Sequence, residues 1–203
     1  MSHPVGCRCG VVRGVLGDSR DAIRVVCYCK DCQAFAHFLG SWEQVLDERG
    51  GSDIVQVLPK SLTFTQGVQS LACMRLTPKG LLRWYASCCR TPIGNTLATP
   101  KLSFVGLLHS CLEVGNHSVS GSFGPITAWV NTKGARGNPK PEAKGQSRTI
   151  RRFIQRTLKA RINGDYKLTP FFQPDTHAPI AVPQVLTDDE LARVLDAVRV
   201  ASH

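Results

Sequence analysis

Ile23-Arg24-Val25-Val26-Cys27-Tyr28-Cys29-Lys30-Asp31-Cys32 is the stretch on which the fold turns. Its first half is a β-branched run, the pattern of a short buried strand. Its second half sets three thiols on six residues. Cys27 and Cys29 are two apart, so in extended backbone both sulfurs leave the same face, and a turn at Lys30-Asp31 is expected to bring Cys32 round as a third ligand. Three thiolates so placed can hold a tetrahedral zinc while leaving its fourth position open, the layout of a catalytic rather than a structural site. Lys30 or backbone N–H groups in the turn are expected to offset the charge on the sulfurs. Core packing is a poor account of such spacings, because zinc sites are built from them. Cys7-Arg8-Cys9 before this stretch and Cys88-Cys89 after it are expected to form a second, closed site. Cys7 and Cys9 share one face of an extended segment, and Gly10 gives the backbone room to turn.

The remaining composition agrees with thiol chemistry inside a cell. Nine cysteines is an odd count, and Met1 to Gly6 lacks a charged then apolar leader, so reduced thiols and a cytoplasmic location are expected. Cys73 and Cys111 stand alone and read as small core hydrophobes. His37 lies five residues beyond Cys32, off the helix face that a ligand at three or four would share, and reads as a packed histidine. His109, His117 and His177 have no ligand-like spacing.

A chain of 203 residues with 42% hydrophobic and 20% charged content has enough apolar material for one buried core plus an extension, which excludes disorder throughout. No apolar run approaches the roughly 18 to 20 residues of a membrane span, so any membrane role is peripheral, and no membrane partner is expected. The net charge of +10 is uneven: Lys133 to Lys167 holds eleven Lys or Arg against Glu142 and Asp165. Such a stretch can meet phosphates, but it lacks the interleaved aromatics of a single-strand platform, so nucleic acid is a disfavoured partner.

Strand signals fill the first part of the chain: Val11 to Leu16, Ile23 to Cys27, Ile54 to Leu58, Leu62 to Gln66, Leu71 to Leu76, Leu81 to Tyr85, Ser103 to Leu108 and Ile126 to Asn131. They are short and separated by turn residues, which predicts a mostly β (α+β) domain, a sandwich or folded sheet, over 1–133. Only Gln33 to Phe38 and Trp42 to Glu48 look helical between them. Residues 134–147 are rich in Gly, Pro and charge and read as a linker or loop. Residues 148–203 read as a basic helical extension packed on the β domain. In its first helix the stripe Ile150, Phe153, Ile154, Leu158 and Ile162 is expected to dock, in preference to a membrane-surface role. Thr187-Asp188-Asp189-Glu190 is a capping box opening a last helix with Leu191, Val194, Leu195 and Val198 inward.

The chain resembles the glutathione-dependent formaldehyde-activating enzyme family, which includes the centromere protein V domain. The resemblance rests on Cys7-Arg8-Cys9-Gly10, then Cys27-Tyr28-Cys29-Lys30-Asp31-Cys32, then Cys89-Arg90-Thr91-Pro92-Ile93-Gly94, with a weaker echo in Ala128-Trp129-Val130-Asn131-Thr132-Lys133. It covers roughly residues 5 to 135. It implies a β-rich zinc-binding fold, a catalytic zinc on Cys27, Cys29 and Cys32, and a structural zinc that includes Cys7, Cys9 and Cys89. One departure stands out: the family's last pair is Cys-x-x-Cys, whereas here Ala86 takes the first of those positions and Cys88 adjoins Cys89. Adjacent side chains diverge in extended backbone, so Cys88 can be the fourth ligand only through a tight turn. The alternative is an incomplete or absent structural zinc, and the expected content is one or two zinc ions.

By the same resemblance the protein is a carbon–sulfur lyase-like enzyme acting on thiol–aldehyde adducts, exchanging glutathione and formaldehyde with S-(hydroxymethyl)glutathione. The competing expectation is a non-enzymatic zinc-binding module whose basic tail meets nucleic acid or an acidic protein. A redox-sensing thiol cluster is a third.

Overall fold

Residues 2–201 are described by a computed structural model of the chain. Its strands and helices run β1 (His3–Gly6), β2 (Arg13–Leu16), β3 (Ile23–Cys27), α1 (Lys30–Leu39), α2 (Trp42–Val45), β4 (Ser52–Val57), β5 (Leu62–Gln66), β6 (Leu71–Arg75), β7 (Leu82–Ala86), β8 (Thr91–Thr96), β9 (Val105–Leu108), α3 (Val119–Phe123), β10 (Ala128–Val130), α4 (Gln146–Ile162), β11 (Gln184–Val185) and α5 (Asp188–Val200). The fold is mixed α+β and sheet-rich. A three-stranded sheet has the order β1-β2-β5, and an eight-stranded sheet the order β10-β3-β4-β9-β8-β7-β6-β11. Pairing is antiparallel except at the two rims of the large sheet, where β10 lies parallel to β3 and β11 parallel to β6.

Burial follows the sequence pattern. β2 alternates between exposed and buried, as a strand with one wet face should. β7 and β9 are buried at every position, which is why Leu82 to Ala86 and Val105 to Leu108 read as near-continuous apolar runs. Both sheets feed the main core: Val5 and Leu16 from the small sheet meet Val55, Trp84, Ile93 and Leu107 from the large one. The Trp84 indole N–H donates to Thr96 Oγ1 at 3.0 Å, so its burial leaves no orphan donor.

Strand β8 went unpredicted because Thr91-Pro92-Ile93-Gly94-Asn95-Thr96 looks like turn sequence. It is nonetheless an inner strand between β7 and β9. Pro92 is tolerated where the register with β7 shifts between Trp84 and Tyr85. Gly94 is required by proximity, since a Cβ there would stand 3.0 Å from the Gly106 carbonyl oxygen. The short strand β1 and helix α3 were also unpredicted.

The C-terminal part is woven into the molecule. Phe171 is fully buried in the main core, with its ring 5.0 Å from Trp84 and 5.7 Å from Phe64. α5 opens on the expected capping box at Thr187 and Glu190 and packs through Val198, with Leu191 and Val194, on Ala34, Phe35 and Leu39 of α1. Leu195, expected inward, is 38% exposed. Within 134–147, Ala135 and Arg136 are buried, the Arg136 N–H donates to Arg49 O, and Lys144 pairs with Trp129.

Helix α4 docks, but of the stripe expected to do so only Phe153 takes part. Thr157 and Ala160 are its buried residues, and Phe153 meets Phe104 edge-on at 5.4 Å. Ile150, Ile154, Leu158 and Ile162 face solvent. The small Thr157 and Ala160 let the helix approach closely, whereas a row of branched aliphatics would hold it off. Among the described residues no helix is long and apolar enough to cross a membrane.

Candidate metal centres

The thiols expected to be ligands gather into two groups, and all nine cysteines are free. Cys27 ends strand β3, and Cys29 is the N-cap of α1, with Cys32 in its first turn. The turn expected at Lys30-Asp31 is therefore the opening of a helix. This places Cys29 and Cys32 three apart at its N-terminus, where the backbone dipole favours negative charge. The sulfurs of Cys27, Cys29 and Cys32 lie within 4.8 Å of one another, with Cys27 and Cys32 buried and Cys29 half-buried. Two N–H groups point at this sulfur set: Asn131 Nδ2 donates to Cys27 Sγ at 3.3 Å, and the Cys32 backbone to Cys29 Sγ at 3.4 Å. Hydrogen bonds from Cys29 and then Cys32 hold the Cys27 thiol well below its usual range, and that thiolate pushes Cys29 and Cys32 up.

Asn131 escaped the sequence reading as a site residue, although it stands in the segment Ala128 to Lys133 noted there. It follows β10, and its φ of 55° is a left-handed conformation that asparagine tolerates better than most residues. Lys30, expected beside the sulfurs, is exposed on another side of α1. It lines a cleft of about 460 Å³ with Lys133 and Lys140 from the loop after β10 and Arg199 from α5. Gly134 closes the joint between this loop and the triad segment: a Cβ there would stand 2.3 Å from the Tyr28 carbonyl oxygen.

The second group joins Cys7 and Cys9 from the β1–β2 turn to Cys88 and Cys89 from the β7–β8 turn. The sulfur separations are 3.5 Å for Cys7–Cys9, 3.8 Å for Cys7–Cys88, 3.3 Å for Cys9–Cys88 and 3.9 Å for Cys88–Cys89. A tetrahedral ion with metal–sulfur bonds of about 2.3 Å requires sulfurs about 3.8 Å apart, so the four thiols have the spacing of a closed site. Adjacent cysteines converge here because the chain turns tightly: the Arg90 N–H donates to Ala86 O at 2.8 Å, and Arg90 has a left-handed φ of 56°. Val12 N–H donates to Cys7 Sγ at 3.2 Å. Burial pushes the Cys89 thiol up, but the Thr91 hydroxyl at 3.1 Å and backbone N–H groups bring it net down to about 6.

The two groups are mechanically joined. Arg90 lies over the Phe38 ring and donates to the Phe38 and Leu39 carbonyls, capping the C-terminus of the helix whose N-terminus carries Cys29 and Cys32. Arg8, between Cys7 and Cys9, donates to Cys89 O at 3.1 Å. The other thiols stay apart. Cys73 and Cys111 are core residues, and burial pushes the Cys73 thiol up to about 12, which makes it inert. His37 stacks on Trp42 at 5.1 Å with Arg136 on the same ring, outside either thiol group.

No curated protein matches this chain. Among solved structures, a crystal structure of a Rhodobacter sphaeroides protein from structural genomics is similar at 19% identity, covering 64% of this chain and 99% of that one, with a TM-score of 0.38. That likeness is too loose to carry an argument about fold or activity. A family model does match, over residues 1–176, a span that holds both thiol groups and helix α4. On that match the chain belongs to the DUF6151 family, a family of unknown function.

Proposed function

We propose that the protein is a zinc-dependent carbon–sulfur lyase-like enzyme of the formaldehyde-activating type, acting on adducts of a thiol and an aldehyde such as S-(hydroxymethyl)glutathione. The observation that carries this reading is the difference between the two thiol groups. One offers four sulfurs at closed-site spacing, and the other offers three, with Cys29 half-buried at its edge. Structural zinc closes all four positions, whereas catalytic zinc keeps one for water or substrate. Cys7, Cys9, Cys88 and Cys89 would hold the structural ion, and Cys27, Cys29 and Cys32 the catalytic one. The donor set fits: soft thiolates select zinc, and each group receives N–H donors onto sulfur of the kind that orients metal ligands. On this reading the two sheets around one core are the zinc-binding β fold that the resemblance implies.

A zinc ion at the triad supplies Lewis acidity that lowers the pKa of a thiol or hydroxyl presented to it. The chain's own groups do the rest. Asn131 and the Cys32 N–H hold Cys27 and Cys29 in place, and the N-terminus of α1 favours negative charge at the sulfurs. The chemistry needs no oxidant: a sulfur–carbon bond forms or breaks, and the thiol proton passes to or from the aldehyde oxygen.

The test is metal content followed by turnover. Two zinc ions per chain are expected by elemental analysis, together with accelerated exchange between glutathione, formaldehyde and their adduct, followed by NMR and lost in Cys29→Ser. Zinc-loaded protein that does not accelerate the exchange would leave a non-enzymatic zinc-binding module as the better reading.

A further inference from the structure

The outer side of α4 is a feature that the thiol chemistry does not use. Ile150, Ile154, Leu158 and Ile162 are exposed by 49%, 56%, 58% and 76%. Together they form a row of large aliphatics along one helix. The helix has no acidic residue, and it carries Arg148, Arg151, Lys159 and Arg161 exposed, while Arg152 and Arg156 turn toward the body of the protein and donate to the Asp21 and Gln56 carbonyls. At the N-terminal end of the row, Ile150 borders a recess of about 250 Å³ that it shares with Leu97, Phe104 and Phe153. The helix is already folded and anchored by Phe153, Thr157 and Ala160, so no ordering cost attends its use.

We infer that α4 seats the protein peripherally on an anionic phospholipid surface, with the aliphatic row in the acyl boundary and the flanking cations at the headgroups. The charge pattern selects this occupant. A second copy of the same helix would bring like charges together. Nucleic acid would satisfy the cations but leave the aliphatic row uncovered. An apolar row with Lys and Arg beside it and no acid is the pattern of a helix lying in a membrane interface, and the recess by Ile150 gives an acyl chain a place to enter. The inference is independent of the metal reading, because α4 contributes no residue to either thiol group.

The experiment is flotation of the full chain with phosphatidylcholine vesicles, with and without phosphatidylserine. Binding is expected only with phosphatidylserine and should fall as salt rises. I154E/L158E should weaken it at least about tenfold by removing the apolar contact, and R151Q/K159Q by a similar factor by removing two cations. Three results would each overturn the inference: no preference for anionic vesicles, binding untouched by I154E/L158E, or a dimer dissolved by I154E/L158E in a chain that ignores vesicles. Should a variant misfold by circular dichroism, hydrogen exchange of the unaltered chain decides the matter. Vesicle-dependent protection confined to α4 and its flanks supports the inference, and unchanged exchange there refutes it.

Discussion

Replacing Cys9 should harm folding more than replacing Cys29, and the chain separations say by how much. On the proposed reading, a zinc ion held by Cys7, Cys9, Cys88 and Cys89 would tie residues 79 and 81 positions apart. A tie of that span removes about 4.5 kcal/mol of chain entropy from the unfolded state, whereas one across residues 27–32 removes about 2 kcal/mol. Cys9→Ser is therefore expected to cost about 2.5 kcal/mol more than Cys29→Ser, a gap of roughly 5–10 °C in midpoint for a chain of this size. The assay is thermal unfolding of both variants and the parent, each loaded with zinc and then repeated with excess chelator. Chelation should erase the gap, because it removes both ties from every protein. Equal losses before chelation, or a larger loss for Cys29→Ser, would refute the assignment of closed and open sites.

Asn131→Asp keeps the side-chain shape and the tolerance for a left-handed φ but replaces the N–H donor to Cys27 with an oxygen, so zinc affinity at the triad should fall about 10–100-fold in a competition titration, with the fold unchanged by circular dichroism. Phe171→Ala empties a fully buried ring site against Trp84 and should cost about 3–5 kcal/mol in denaturant unfolding. His3 is buried, with Nε2 donating to Leu112 O at 2.7 Å and Nδ1 accepting from the Ser122 hydroxyl at 2.8 Å, and burial lowers its pKa from 6.5. The unfolded chain then takes up a proton before the folded one does, so stability should fall as pH drops below 6.5, and His3→Gln should flatten that slope in unfolding curves taken across it.

Where burial and period coincide, the sequence was a good guide. Ile23 to Cys27 and Leu62 to Gln66 are strands at the predicted residues, because a β-branched run between turn residues has few other uses. The Thr187 capping box was legible for a similar reason, being local chemistry on four residues. Thiol spacing on six residues pointed to the triad, but the convergence of Cys88 on Cys7 and Cys9 depends on a turn whose left-handed residue is an arginine, which no turn rule favours. β8 was hidden because Pro92 and Gly94 serve a bulge and a close approach rather than a turn. α4 shows a different limit. Periodicity tells which residues share a side of a helix, but two sides competed here, and the docked one holds small Thr157 and Ala160 rather than the larger aliphatics.

Helix α1 is a rod of about 15 Å strung between two sulfur clusters. Its first turn belongs to one cluster, and its last carbonyls are gripped by Arg90, the neighbour of Cys89 in the other. An ion that fastens the turn from Ser87 to Arg90 also steadies the far end of the rod, and so lowers the entropic cost of gathering Cys29 and Cys32 onto Cys27. Linkage makes this reciprocal: whatever free energy the first ion lends to the second, the second returns to the first. A titration of the stripped protein should accordingly show cooperative filling, with singly loaded chains scarcer than two independent sites would give, and the steepness of that curve measures the stiffness of a single helix.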